Sequence, residues 1–111
     1  MGIFSVFSTA QTKAFADELA DSLLRDLPPK LMLNAANVIS ANRVTTILER
    51  CYSKAAAFQA AKGINFMKRA ALANTFRWRL KEIGYPEEFI SVATEGLLVH
   101  LSKSNKGAKG N

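Results

Sequence analysis

The chain reads as an all-α protein: a compact bundle of four principal helices, at about residues 9–27, 43–62, 65–83 and 86–102, with a short extra helical segment at about 29–39. Three observations predict this class. Apolar residues recur at spacings of three and four, the period of a helix that buries one face. Pro28-Pro29, Gly63 and Gly84 divide the chain where those stripes stop. Residues that start or end helices stand at the expected ends of the segments.

The opening Met1–Phe7 carries Ile3, Phe4, Val6 and Phe7 and is expected to be an apolar N-terminal arm, folded over the domain's own core or offered to a partner or membrane surface. Ser8-Thr9-Ala10-Gln11 fits a capping box, so the first helix is expected to begin there. Phe15, Ala16, Leu19, Ala20, Leu23 and Leu27 form its apolar face, with Asp17, Glu18, Asp21 and Arg25 opposite. Pro28-Pro29 ends it, because neither proline donates an amide and Pro28 disfavours helical geometry at Leu27. Between Lys30 and Asn42 the signal weakens: Leu31, Met32, Leu33, Val38 and Ile39 are apolar, but Asn34, Asn37 and Asn42 are poor interior helix formers. A short helix over 29–39 is expected, and one continuous helix over 31–62 is the alternative.

Val44, Leu48, Cys51, Ala55 and Phe58, with Ile47 beside them, define the next stripe. It spans too few heptads for a coiled coil. Gly63 suits the left-handed position past a helix end, and so short a connection predicts that the two central helices are antiparallel neighbours. In the second of them Leu72, Ala73, Phe76, Leu80 and Ile83 share one broad face, with Phe66 at its edge. Met67, Ala71 and Trp78 gather on nearly the opposite side. Lys68 and Arg79 occupy one flank, Arg77 and Lys81 the other, and Arg69 intrudes toward the main apolar face. A helix apolar on two sides is central to its domain or meets a second partner. Gly84, then Pro86, Glu87 and Glu88, stop one helix and start the last. Phe89, Ile90, Ala93, Gly96, Leu97, His100 and Leu101 form that last helix's face. The Lys-, Gly-, Ser- and Asn-rich stretch 103–111 is expected to be a disordered basic tail after a single domain over 1–102.

The chain's 111 residues suffice for one core without metal or disulfide support. Its formal charge of +6 is concentrated mid-chain: residues 63–84 hold Lys68, Arg69, Arg77, Arg79 and Lys81 against Glu82 alone. No apolar run reaches the roughly 18–20 residues of a membrane span, and the opening residues lack a signal peptide's basic region. A cytoplasmic location is expected. Cys51 is the single cysteine and reads as a buried thiol; His100 is the single histidine and lies on an apolar face. Neither has a local partner that would activate it, no glycine-rich phosphate cradle occurs, and zinc sites draw on more ligands than these two. No enzyme activity, metal or cofactor is expected.

The expected function is that of a protein-binding or self-associating module, an adaptor or regulator forming a homodimer. Met67, Ala71 and Trp78 are the expected contact, Trp78 its anchor, with Lys68, Arg77, Arg79 and Lys81 as a cationic rim. That composition matches interface cores, which favour Trp, Met and Arg. Coverage of this patch by the N-terminal arm or the 31–39 segment is the alternative to a partner. Nucleic-acid binding by the basic middle is a second reading, since cations release phosphate counterions and an exposed Trp stacks on bases. Glu87 and Glu88 at the start of the last helix oppose a helix-turn-helix mode, which would bring them to phosphates. Phe66–Ala71 lacks the alternation of a strand, which opposes a ribbon-helix-helix arrangement. Membrane-surface association through the apolar N-terminus is third, and the lack of nearby basic residues weighs against it.

Overall fold

The apolar stripes are the surfaces along which the helices meet. The computed structural model describes the backbone of residues 2–33 and 41–109, with side chains over 10–32 and 41–104. Its helices are α1 (Gly2–Asp26), α2 (Lys30–Leu33), α3 (Ala41–Lys62), α4 (Phe66–Ile83) and α5 (Glu87–Lys109). No strand occurs among the described residues. The four long helices pack as a compact bundle. Helix α1 lies against α4 and α3, and α5 closes the ring by packing on the same two. The molecule measures 52 × 31 × 19 Å, its least dimension matching two layers of helices about 10 Å apart.

The core follows the expected stripes. Ala16, Leu19, Ala20, Leu23 and Leu27 are buried from α1, Ile47, Leu48, Cys51 and Ala55 from α3, and Leu72, Ala73, Phe76 and Leu80 from α4. Helix α5 adds Phe89, Ile90, Ala93, Leu97 and Leu101. Phe15 and Phe58, at the edges of their stripes, are half-buried and stack on each other with ring centroids 4.1 Å apart.

Several boundaries differ from expectation. Helix α1 passes through Ser8 and Thr9 to Gly2, so no helix starts at the capping box and the arm's backbone is helical. Ser and Thr trail Ala by only about half a kcal/mol inside a helix, too little to stop one. Helix α5 runs on to Lys109, past the expected end at 102, because neither Pro nor a clear cap interrupts Lys103–Lys106. Of the segment at 29–39 only Lys30–Leu33 is helical among the described residues, with Leu31 and Met32 half-buried against the core. Residues 34–40 lie outside the described residues, and with them the alternative of one helix over 31–62.

The larger correction concerns topology. Although only Gly63, Ile64 and Asn65 separate them, α3 and α4 share almost no contact surface and are not the side-by-side neighbours expected. A short connection fixes where two helices meet, whereas their apolar stripes fix what each lies against. Here both stripes face α1 and α5. The corner is a Schellman turn: Gly63 sits at φ +63°, the Ile64 N–H donates to Gln59 O at 3.1 Å, and the Ile64 side chain is buried. Gly84 repeats it at φ +109°, with the Tyr85 N–H donating to Leu80 O at 3.2 Å.

Three buried polar side chains tie the helices together. The Tyr85 hydroxyl donates to Leu27 O at 2.6 Å, satisfying a carbonyl past the end of α1 while the Leu31 N–H turns to Pro28 O. The Tyr52 hydroxyl donates to Ala93 O at 2.9 Å, and Gln59 Nε2 to Leu101 O at 3.0 Å. The Tyr52 bond requires α5 to pass close. A Cβ at Gly96 would overlap the Tyr52 hydroxyl and lie 2.8 Å from its ring carbon Cζ.

Gly96→Ala is therefore expected to destabilise the protein by about 1–2 kcal/mol, overpacking outweighing the roughly 1 kcal/mol that Ala gains over Gly inside a helix. Denaturant unfolding measures this, and Tyr52→Phe should recover part of the loss in the double variant. An equal loss in both backgrounds would rule out the Tyr52 clash.

Burial pushes the Tyr52 hydroxyl up from 10.0 to about 12, raises Tyr85 as well, and lifts the Cys51 thiol above 9.0. These groups are neutral when protonated and their folded pKa is the higher one. Their contribution is thus complete below the unfolded value and is lost as pH rises through the folded one. Stability is expected to hold to about pH 9 and fall between about pH 10 and 12, with a shallower fall in Tyr52→Phe. Unfolding midpoints measured across that range check it.

Candidate partner interface

Helix α4 is fixed at both ends before any partner is considered. Asn65 is its N-cap, with extended backbone (φ −91°, ψ −176°) and a side-chain oxygen accepting the Lys68 N–H at 2.9 Å. At the other end the Gly84 N–H donates to Leu80 O and Lys81 O. The rotation of α4 is set by Leu72, Phe76 and Leu80 in the core.

Its flank toward α1 is held by charge. Arg79 Nη2 lies 2.8 Å from Asp21 Oδ1, Nε 3.5 Å from Asp17 Oδ1, and Nη1 3.2 Å from Glu82 Oε1. The hydrogen bonds to Glu82 and Asp21 raise the Arg79 pKa further. The acidic face of α1 thus meets the basic middle within one chain. Arg79, about a third of its side chain exposed, is ion-paired to Asp21 and Asp17 of α1 and to Glu82 of its own helix.

The outer surface of α4 carries the residues singled out from the sequence. Met67 is 74% exposed, Trp78 54% and Phe66 72%, while Ala71 is half-buried. Phe66 was expected at the edge of the core face and stands in water. Lys81 places Nζ 5.4 Å from the Trp78 ring centroid and 3.5 Å from Glu87 Oε2. Of the four rim cations, Arg79 and Lys81 are balanced by carboxylates. Exposed Arg77 and half-buried Lys68 have no ion-pair partner among the described residues.

Sequence reasoning did not identify the groove where α4 meets α5. It encloses about 430 Å³. Phe66, Ala70, Ala73 and Arg77 line it from α4, and Thr94, Leu98 and Ser102 from α5, with Arg69 and Asn74 at its margins. The Thr94 hydroxyl is buried without a hydrogen-bond partner. Arg69 is occupied elsewhere, donating to Gln59 Oε1 at 3.1 Å and lying 6.0 Å from the Phe66 ring. The spacings 66-70-73-77 and 94-98-102 are visible in the sequence, but only the pairing of α4 with α5 makes them two walls of one site.

The remaining candidates sort simply. His100 is half-buried beside Tyr52, ring centroids 5.7 Å apart, in a shallow groove between α3 and α5 with exposed Val92 and Val99. Cys51 is sealed in the core. No cluster of three metal-ligating side chains occurs among the described residues, and none of their helices is long and apolar enough to cross a membrane.

Trp78 is the only tryptophan, so its fluorescence reports on this surface. Its emission is expected to be that of a hydrated indole, quenched more strongly by iodide than by caesium because Lys81 and Arg77 attract the anion. Lys81→Gln should narrow that difference. Equal quenching by both ions would show that these cations do not govern the indole's surroundings.

Compared with known protein families, with curated proteins and with solved structures, the chain gives no match.

Proposed function

We propose that this protein is a non-catalytic protein-binding module that self-associates through the outer face of α4. The observation that carries the reading is the exposure of Met67 and Trp78 on a helix whose opposite face is fully in the core. Large apolar residues gathered on one surface mark contact sites, and Trp and Met suit the centre of one. Ala71 between them lets a second helix approach closely. In a two-fold dimer the same patch meets itself, which also brings Arg77 and Lys68 near their own copies. Salt should therefore strengthen this association by screening like charges.

Light scattering over a concentration series is expected to show mass growth that increases from about 0.05 to 0.5 M salt. The growth should disappear in Met67→Ala/Trp78→Ala, whose folding stability should stay within about 0.5 kcal/mol per site because both residues are exposed. A wild-type chain that stays monomeric at high micromolar concentration would end the self-association reading.

A second reading draws on the same exposed indole, which has Lys81 beside it and could stack on a base of a single-stranded nucleic acid. The carboxylates around Arg79 and Lys81 oppose it by repelling phosphates. The two readings have opposite salt signatures, since nucleic-acid binding weakens as salt rises. A low-salt gel shift lost in Arg77→Ala would favour the second.

A further inference from the structure

Where the end of α1 meets the start of α3, the surface opens into a cavity of about 690 Å³ that takes no residue from α4. Arg25 and Asp26 line it from α1, and Asn42, Arg43, Thr46 and Arg50 from α3. The sequence concentrates the cations here. Arg43, Thr46 and Arg50 follow at spacings of three and four, one stripe of α3, and the last turn of α1 brings Arg25 to that stripe. Three guanidinium groups thus share one space with a single carboxylate, which leaves two positive charges unmatched there.

That carboxylate does not occupy the cations. Arg25 Nε is 4.0 Å from Asp26 Oδ1 and Arg50 Nη1 is 3.9 Å from Oδ2, both beyond hydrogen-bond distance. A satisfied guanidinium in this chain looks different: Arg79 Nη2 meets Asp21 at 2.8 Å. Among the described residues Arg25 and Arg50 make no hydrogen bond, and both are more than half exposed. Each keeps its planar fork of N–H donors for another acceptor.

We propose that this cavity binds a small phosphorylated anion, its phosphoryl oxygens accepting hydrogen bonds from Arg25 and Arg50, with Arg43 adding its charge. A phosphoryl group carries close to two negative charges at neutral pH and three acceptor oxygens, which matches the two unmatched charges and serves more than one fork. A monocarboxylate brings one charge and fills one fork. None of the described residues lining the cavity is aromatic, so a nucleobase has no ring to stack on, whereas Asn42 and Thr46 offer hydrogen bonds to hydroxyls. The ligand class is therefore a diphosphate or a phosphorylated polyol. The same phosphoryl chemistry occurs free in solution and on an inositol lipid headgroup.

Calorimetry of the intact protein with pyrophosphate at about 0.05 M salt tests the assignment. One equivalent is expected to bind, with amide shifts at the end of α1 and the first turns of α3. Acetate should bind at least about tenfold more weakly, and Arg50→Gln should weaken pyrophosphate by about tenfold or more, as loss of a charge-assisted hydrogen bond implies. Lys62→Gln removes the same charge about 18 Å further along α3 and should change the affinity by less than about twofold. Phosphatidylcholine vesicles carrying phosphatidylinositol bisphosphate separate the two sources. Co-sedimentation that pyrophosphate reverses assigns the phosphoryl group to a headgroup, and pyrophosphate binding without co-sedimentation assigns it to a soluble ligand. No saturable binding at millimolar pyrophosphate, or equal affinity for acetate, would overturn the proposal. So would equal losses in Arg50→Gln and Lys62→Gln, which would give the binding to the chain's overall charge.

Discussion

Two layers of two helices enclose a core one side-chain layer deep, and the molecule's 19 Å thickness leaves room for no more. In such a bundle each helix buries one stripe and exposes the rest. Helix α4 carries apolar side chains on two stripes. Leu72, Phe76 and Leu80 take the interior, so Met67 and Trp78 are left in water. Full burial of such a side chain contributes about 1.5–3 kcal/mol, and the fold forgoes that stabilisation twice on one surface. Among the described residues, α1 and α5 hold the two flanks of α4, and α3 lies across the ring.

What fixes this ring, rather than a simple up-and-down hairpin order, is a set of directional contacts. Apolar stripes alone would tolerate several pairings of four similar helices. Tyr85 bonded to Leu27 O joins the start of α5 to the end of α1. Tyr52 bonded to Ala93 O and Gln59 bonded to Leu101 O fasten α3 to α5 along two turns, with Gly96 allowing the close approach. Arg79 bonded to Asp21, with Asp17 nearby, secures α4 to α1 at the surface. A buried hydrogen bond adds only about 1 kcal/mol net, but breaking one leaves an unpaired group at greater cost, so wrong pairings are disfavoured.

Much of this was legible in the sequence, and the gaps have physical reasons. The class, four principal helices and nearly all the core came from periodicity, because a 3.6-residue stripe is local information. The glycine corners were also legible, since positive φ at Gly63 and Gly84 is a local requirement. Partner choice between helices was not. The same three-residue connection permits an antiparallel hairpin or a corner, and the bonds of Tyr52, Gln59 and Tyr85 that favour the corner topology join residues 41, 42 and 58 apart, which no local spacing reveals. The second apolar stripe of α4 was legible too, and its Met67 and Trp78 are exposed. The tie of Arg79 to α1 was not, because ion pairs across 58 residues leave no spacing signature. The α4/α5 groove failed for the same reason: each wall is periodic, but a groove exists only where two walls meet.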